Sequence, residues 1–285
     1  MKRGLAMVAL AACGWGLWSL FLIPTHLSAL VTTPIVYLVM GVVGLAFTWM
    51  DPAPTWNRAA VGWVIAFAVT DVINCILFFE AMNHTTIAIA VLTHYSAPIL
   101  IALAAPYVDG VITRGARPAA VVAMAGIAIV LEPWRAPADG AVLGALLGFG
   151  SATMYAANVF CARRLGQTIG PARAIAYHGL IGALVAAPFA IHGFDAVTFR
   201  DLEYLVSGGA LVGAGAGILF VAGLSRVGAG RAAVLTFAEP IVAVLVGAVH
   251  WGQPLRPIAA VGGALVLAAG VHVARRSHGK QGALT

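Results

Sequence analysis

The sequence predicts an all-α polytopic membrane protein of ten transmembrane helices, arranged as two inverted five-helix repeats. Three observations carry this expectation. The first is composition: 61% of the 285 residues are apolar, only 9% are charged, and the mean hydropathy is +0.97. A soluble domain is about 25% charged. So few charged side chains cannot cover a water-exposed surface of this size, and much of the chain must face lipid. This excludes a soluble enzyme, a disordered protein and a secreted disulfide scaffold. The second is run length. The apolar runs approach the roughly 20 residues a membrane helix needs and are too long for barrel strands. The third is charge placement. Counting spans from a cytoplasmic N-terminus, 13 basic residues fall on one side: Lys2, Arg3, Arg58, Arg114, Arg117, Arg163, Arg164, Arg173, Arg226, Arg231, Arg275, Arg276 and Lys280. Only 3, Arg135, Arg200 and Arg256, fall on the other. This asymmetry follows the positive-inside rule with both termini cytoplasmic. It explains the net charge of +6 without a nucleic-acid partner.

The spans are expected at 4–23, 33–50, 60–81, 86–107, 118–132, 140–162, 173–191, 202–224, 231–251 and 257–274. Lys2-Arg3 and Leu10-Ala11-Ala12-Cys13 imitate a signal peptide with a lipoprotein box. The stretch before Cys13 is short and the chain stays apolar to Ile23, so the first span is read as uncleaved. Asp51-Pro52-Ala53-Pro54 closes the second span. A few polar residues separate the third and fourth. The fifth is short and stops at Glu132-Pro133-Trp134. Gly140, Gly144 and Gly148 in the sixth, and Gly209, Gly213 and Gly217 in the eighth, have the spacing that lets helices approach closely. Cys13, Cys75 and Cys161 lie in apolar runs without metal-ligand or disulfide spacing and read as small core residues.

An internal repeat divides the chain into 1–138 and 139–285. Ile76-Leu77-Phe78 recurs as Ile218-Leu219-Phe220 at an offset of 142 residues. At the same offset, Leu92-Thr93-His94-Tyr95-Ser96-Ala97-Pro98 pairs with Val234-Leu235-Thr236-Phe237-Ala238-Glu239-Pro240. Five spans per repeat make the second copy enter from the opposite side. That inverted topology is associated with alternating access.

The candidate site residues are polar or aromatic groups near mid-membrane. Pro98 and Pro240 each break one helical hydrogen bond, freeing the carbonyls of His94 and Thr236, and are read as hinges. Glu239 is an ionisable group deep in the ninth span, with no Lys or Arg at comparable depth; such a group is a functional-site hypothesis by default. Asp71 and Asn74 lie one helical turn apart in the third span. His94 lies at mid-depth in the fourth, and Asp71 is its expected partner. Glu239, Asp71 and His94 are the candidates for proton coupling. Glu80 reads as interfacial, and His178 stands apart in the inner half of the seventh span. Trp15, Trp18, Tyr95, Tyr155 and Phe237, with Asn158, would wall a site for an organic solute, and cation–π contact would favour an amine. No catalytic arrangement, metal motif or cofactor-binding loop stands out. Gly213-Ala214-Gly215-Ala216-Gly217 lacks the strand and lysine of a nucleotide loop.

These segments resemble the EamA-type transporters of the drug/metabolite transporter superfamily. The likeness rests on the doubled five-helix pattern, on Phe78-Phe79-Glu80-Ala81-Met82 leading through Thr85-Thr86 to Pro98, and on Phe220 to Gly223 leading to Pro240. The resemblance implies ten spans, a central cavity lined by spans 1, 3, 4, 6, 8 and 9, and alternating access. A Gly-Glu pair that such repeats often carry after the fourth helix is replaced here by Val108-Asp109-Gly110 and Gly252-Gln253-Pro254. The expectation is therefore an inner-membrane secondary transporter, not an enzyme, exporting a small organic metabolite such as an amino acid or amine. The competing expectation is a membrane-embedded lipid-handling protein or enzyme, which would gather its acids at one interface instead of the midplane. The expected partners are a small-molecule solute, the lipid bilayer and protons, with a homodimer left open.

Overall fold

Backbone groups in lipid must find partners within the chain, and this protein meets that demand with helices. The computed structural model describes residues 1–110, 115–135, 140–191, 193–253 and 256–276, and among these it contains no strand. The spanning segments are α1 Lys2–Thr25, α2 Ala29–Ala46, α3 Arg58–His84, α4 Ile87–Val108, α5 Ala116–Leu131, α6 Ala141–Thr168, α7 Pro171–Ala190, α8 Phe199–Val227, α9 Ala229–His250 and α10 Pro257–Arg276. Among the described residues nine segments are long and apolar enough to cross a membrane, and α10 adds a shorter apolar stretch, Pro257–Val273.

Three boundaries depart furthest from expectation. The second helix starts at Ala29, not 33, because Ser28 takes an extended conformation and the chain turns helical directly after it. Its expected tail instead forms a 3-10 turn, Thr48–Met50, with Trp49 and Met50 exposed. The sixth helix runs to Thr168, well past 162. Its basic residues do not end it because they are held: Arg163 pairs with Asp109 at 2.6 Å, and Arg164 Nη2 donates to the Val108 carbonyl at 2.8 Å.

With helices alternating in direction, the described basic residues assigned to one side fall at the end of the bundle that carries the start of α1 and the end of α10. Arg114, Lys280 and Pro254 lie outside the described residues, as does the expected boundary between the repeats at 138/139. The dominant helix pairings are α3 with α6, α1 with α8, α2 with α7 and α5 with α10. Exchanging each helix for the one five places along the chain maps the first pairing onto the second and the last two onto themselves.

The core is built largely from small residues. Where α5 crosses α10, a Cβ on Gly126 would lie 2.6 Å from the Gly262 carbonyl oxygen, and one on Gly262 would meet the Gly126 carbonyl in turn. The two backbones are therefore in direct contact. Gly126→Ala should force the helices apart and destabilise the protein by about 1–3 kcal/mol, the usual cost of overpacking. An unchanged melting temperature would refute that contact.

Candidate functional site

Three helices are interrupted near their midpoints, and the interruptions meet at the centre of the bundle. α4 is helical over Ile87–His94 and again over Ala97–Val108. α9 repeats this as Ala229–Leu235 and Ala238–His250. Pro98 and Pro240 stand at the start of the second segments, where a missing N–H costs least. The Thr236 carbonyl is not left free, contrary to expectation, because the Glu239 N–H donates to it at 3.0 Å. The local chain tightens into a 3-10-like turn that re-satisfies the group. α1 breaks after Trp15 without a proline, through i to i+3 bonds such as Trp18 N–H to the Trp15 carbonyl at 3.1 Å. Gly209–Gly215 in α8 is a π-helical segment, a form that is frequent at functional sites.

Around these breaks lies a cavity of about 470 Å3, in the range of small-molecule sites. Its walls extend from Thr236 and Glu239 to Leu22, Leu27 and Ala29, so it reaches toward the end that carries the α1–α2 connection. The opposite end is tied shut. Arg163 and Asp109 join α6 to α4 there. Asp51 accepts from the backbone N–H groups of Ala172 and Arg173 at 3.1 and 2.7 Å, capping α7.

Trp15, Trp18, Asp71, Asn74, His94, Tyr95, Pro98, Tyr155, Asn158 and Glu239 all line the cavity. Phe237 does not. It is fully buried behind Tyr95, their rings stacked with centroids 6.2 Å apart. Pro240 is also buried and off the cavity wall. α2 and α7 join the lining through Tyr37, Met40, Ile175 and His178, beyond the six spans the family resemblance implies.

The expected Asp71–His94 pair does not form. Asp71 accepts from the Tyr37 hydroxyl at 2.6 Å, meets His178 Nε2 at 3.0 Å, and receives Asn74 Nδ2 at 3.4 Å. The α3–α7 packing brings His178 to the carboxylate, while His94 turns to α6. Ser151 Oγ donates to Asn74 Oδ1 at 2.7 Å and lies 2.8 Å from His94 Nδ1. Ser151 has one hydroxyl proton, and Asn74 takes it. His94 Nδ1 must therefore carry a proton and donate, giving a directed chain His94–Ser151–Asn74–Asp71. Ser151→Ala should cut this chain and cost about 1 kcal/mol in thermal unfolding. An unperturbed melt and an unperturbed His94 imidazole resonance would contradict it.

Asn158 Nδ2 donates to the Phe67 carbonyl at 2.8 Å, so part of its amide is committed to the α3 backbone and not to a solute. Glu239 is different. It sits in the first turn of the Ala238–His250 helix, where free N–H groups favour a negative charge. None of the ion pairs among the described residues includes it. The Tyr95 hydroxyl lies beside it. Glu80, at the exposed end of α3, faces His84 at 3.8 Å.

Tyr37, Ser151 and Cys75 carry no distinguishing sequence signal, yet all three belong to the central hydrogen-bond network or its edge. His178 did carry one, as a mid-span histidine, but nothing in the sequence pairs it with Asp71. Among the described residues, no group of three or more His, Cys, Asp or Glu side chains is placed to hold a metal ion.

Residues 142–274 match the EamA-like transporter family. No curated protein matches the chain. A crystal structure, among 28 solved chains that match, covers 95% of this chain and 98% of its own with a TM-score of 0.82. Its sequence identity is 20%, so the likeness shows the fold alone.

Proposed function

We propose that the chain, whose residues 142–274 match the EamA-like transporter family, is a membrane transporter of the drug/metabolite type that exports a small organic metabolite, an amino acid or amine, by alternating access. The observation that carries this reading is the central cavity, which reaches one end of the bundle while contacts tie the other end shut. An export cycle needs a second state in which this is reversed. The α3·α6 and α1·α8 pairings, equivalent under exchange of the halves, support two inverted five-helix repeats over 1–138 and 139–285 as the source of that second state. The basic asymmetry supports an inner-membrane location with both termini cytoplasmic.

In this reading Trp15, Trp18, Tyr95 and Tyr155 form the wall against the solute, and Phe237 supports Tyr95 from behind. Asp71, Asn74, His94 and Glu239 supply its polar contacts, and the coupling proton is carried by Glu239, Asp71 or His94. Pro98 and Pro240 permit bending where α4 and α9 are already interrupted. Reconstituted into liposomes with an imposed pH gradient, the wild type should move solute faster than without one. Glu239→Gln should lose most of that acceleration. A variant as responsive as the wild type would remove Glu239 from proton coupling.

A further inference from the structure

Resting on the transport reading, we infer that the cavity is built for an organic amine and discriminates against carboxylates, so that a monocationic amine is taken in preference to the amino acid of the same side chain. The inference comes from the charges that face the cavity. Among the described residues, no Arg or Lys lines it. Its ionisable lining is Asp71, Glu239, His94, His178, Cys75 and three tyrosines. Asp71 is already held by His178, Tyr37 and Asn74. If His178 is protonated, this pair is neutral and Glu239 is left as the uncompensated charge. If His178 is neutral, two carboxylates face the cavity. With Glu239 ionised, either state gives a negative site.

The histidines do not reverse this. His178 Nε2 is committed to Asp71. His94 spends its Nδ1 proton on Ser151, so its ring, when neutral, offers a solute a lone pair and not a donor. A ligand ammonium supplies the cationic donor that Glu239, with only the Tyr95 hydroxyl beside it, does not have, and aromatic faces beside the carboxylate suit a cation. A ligand carboxylate would find no cation and would approach like charge. The halves are unequal here. At the 142-residue offset, Glu239 corresponds to Ala97 and Asp71 to Gly213, both also on the cavity wall. The ammonium pole is therefore single, on the α9 side.

The test uses three probes that share a 4-hydroxyphenylethyl skeleton and differ in the ionic groups on it: tyramine, with an ammonium; tyrosine, with an ammonium and a carboxylate; and 3-(4-hydroxyphenyl)propionate, with a carboxylate. Ligand-induced thermal stabilisation of the purified protein reads binding, and uptake into proteoliposomes reads transport. Tyramine should bind roughly 30-fold or more tightly than tyrosine, and the acid should not bind, as expected when a buried charge partner is present or absent. Glu239→Gln should lose tyramine binding, while Glu239→Asp, which keeps the charge, should retain the preference. The ligand-free melting temperature of each variant reports its folding. Tyrosine binding as tightly as tyramine, binding of the acid, or no tyramine binding would each overturn the amine assignment. Uptake of tyrosine with no preference for tyramine would leave transport standing and sink the amine site. Glu239-dependent tyramine binding without any protein-dependent uptake would do the reverse.

Discussion

Asp109→Ala should destabilise the protein by about 3–5 kcal/mol, the cost of stripping a buried charge of its partner. The Asp109 side chain is 0% exposed and that of Arg163 only 12%. Neither Asp109 oxygen has a well-aligned hydrogen bond, and Arg163 Nε is also without one, so charge alone holds the contact. A pair of this kind contributes little net stability, because its desolvation offsets its attraction. Replacing both partners by apolar residues, Asp109→Leu with Arg163→Met, should therefore restore stability to within about 1 kcal/mol of wild type. The same double variant should transport poorly, by roughly tenfold. An ion pair can part and hydrate when its end of the bundle opens, whereas an apolar seam resists water. Melting curves and flux on the same samples check both halves. A double variant as unstable as the single one would show that the site does more than join two charges.

Asp71→Ala should cost about 2–3 kcal/mol and abolish transport. Three donors lose their acceptor at once: the Tyr37 hydroxyl, His178 and Asn74. Side-chain hydrogen bonds in membrane proteins average about 0.6 kcal/mol and reach about 1.7, and the short Tyr37 contact and the His178 contact belong at the upper end. Asp71→Asn keeps the shape and one acceptor oxygen, so it should lose about half as much stability. A double-mutant cycle with His178→Leu should return a coupling energy above about 0.5 kcal/mol. Strict additivity would mean that His178 and Asp71 are neighbours without being partners.

The fold was legible because lipid imposes strong rules. Composition, span length and the placement of arginines each follow from the cost of leaving a polar group in hydrocarbon, and they agree on ten helices. The 142-residue offset made Pro98 and Pro240 visible as a related pair, and both stand where a helix restarts. The break in α1 was not legible, since Gly14 and Gly16 among apolar residues look like any packing glycines and no proline marks the turn. Nor was the π-segment in α8, whose glycines read equally well as a close-packing face.

The site was legible by residue type and depth, but not by partner. Mid-span Asp71, His94 and Glu239 stood out because each is costly in lipid. Which of them touch depends on how α2, α6 and α7 pack against α3, and a single sequence does not carry that rotation. Tyr37 and Ser151 are ordinary residues for a membrane helix, and only the packing makes them the groups that bind Asp71 and orient His94. Phe237 was placed on the wall by its pairing with Tyr95, yet the repeat puts only one of the two rings at the surface.

On the proposed function, the cavity carries a solute across the membrane by opening to each side in turn. Counterflow tests it most directly. Proteoliposomes preloaded with unlabelled tyramine are diluted into tracer-level labelled tyramine, and internal label is followed with time. A carrier whose site faces one side at a time should accumulate label transiently above equilibrium, and Glu239→Gln should show no overshoot. Label that enters no faster than in protein-free liposomes, or that enters at a rate indifferent to the internal tyramine, would rule out alternating access to this cavity.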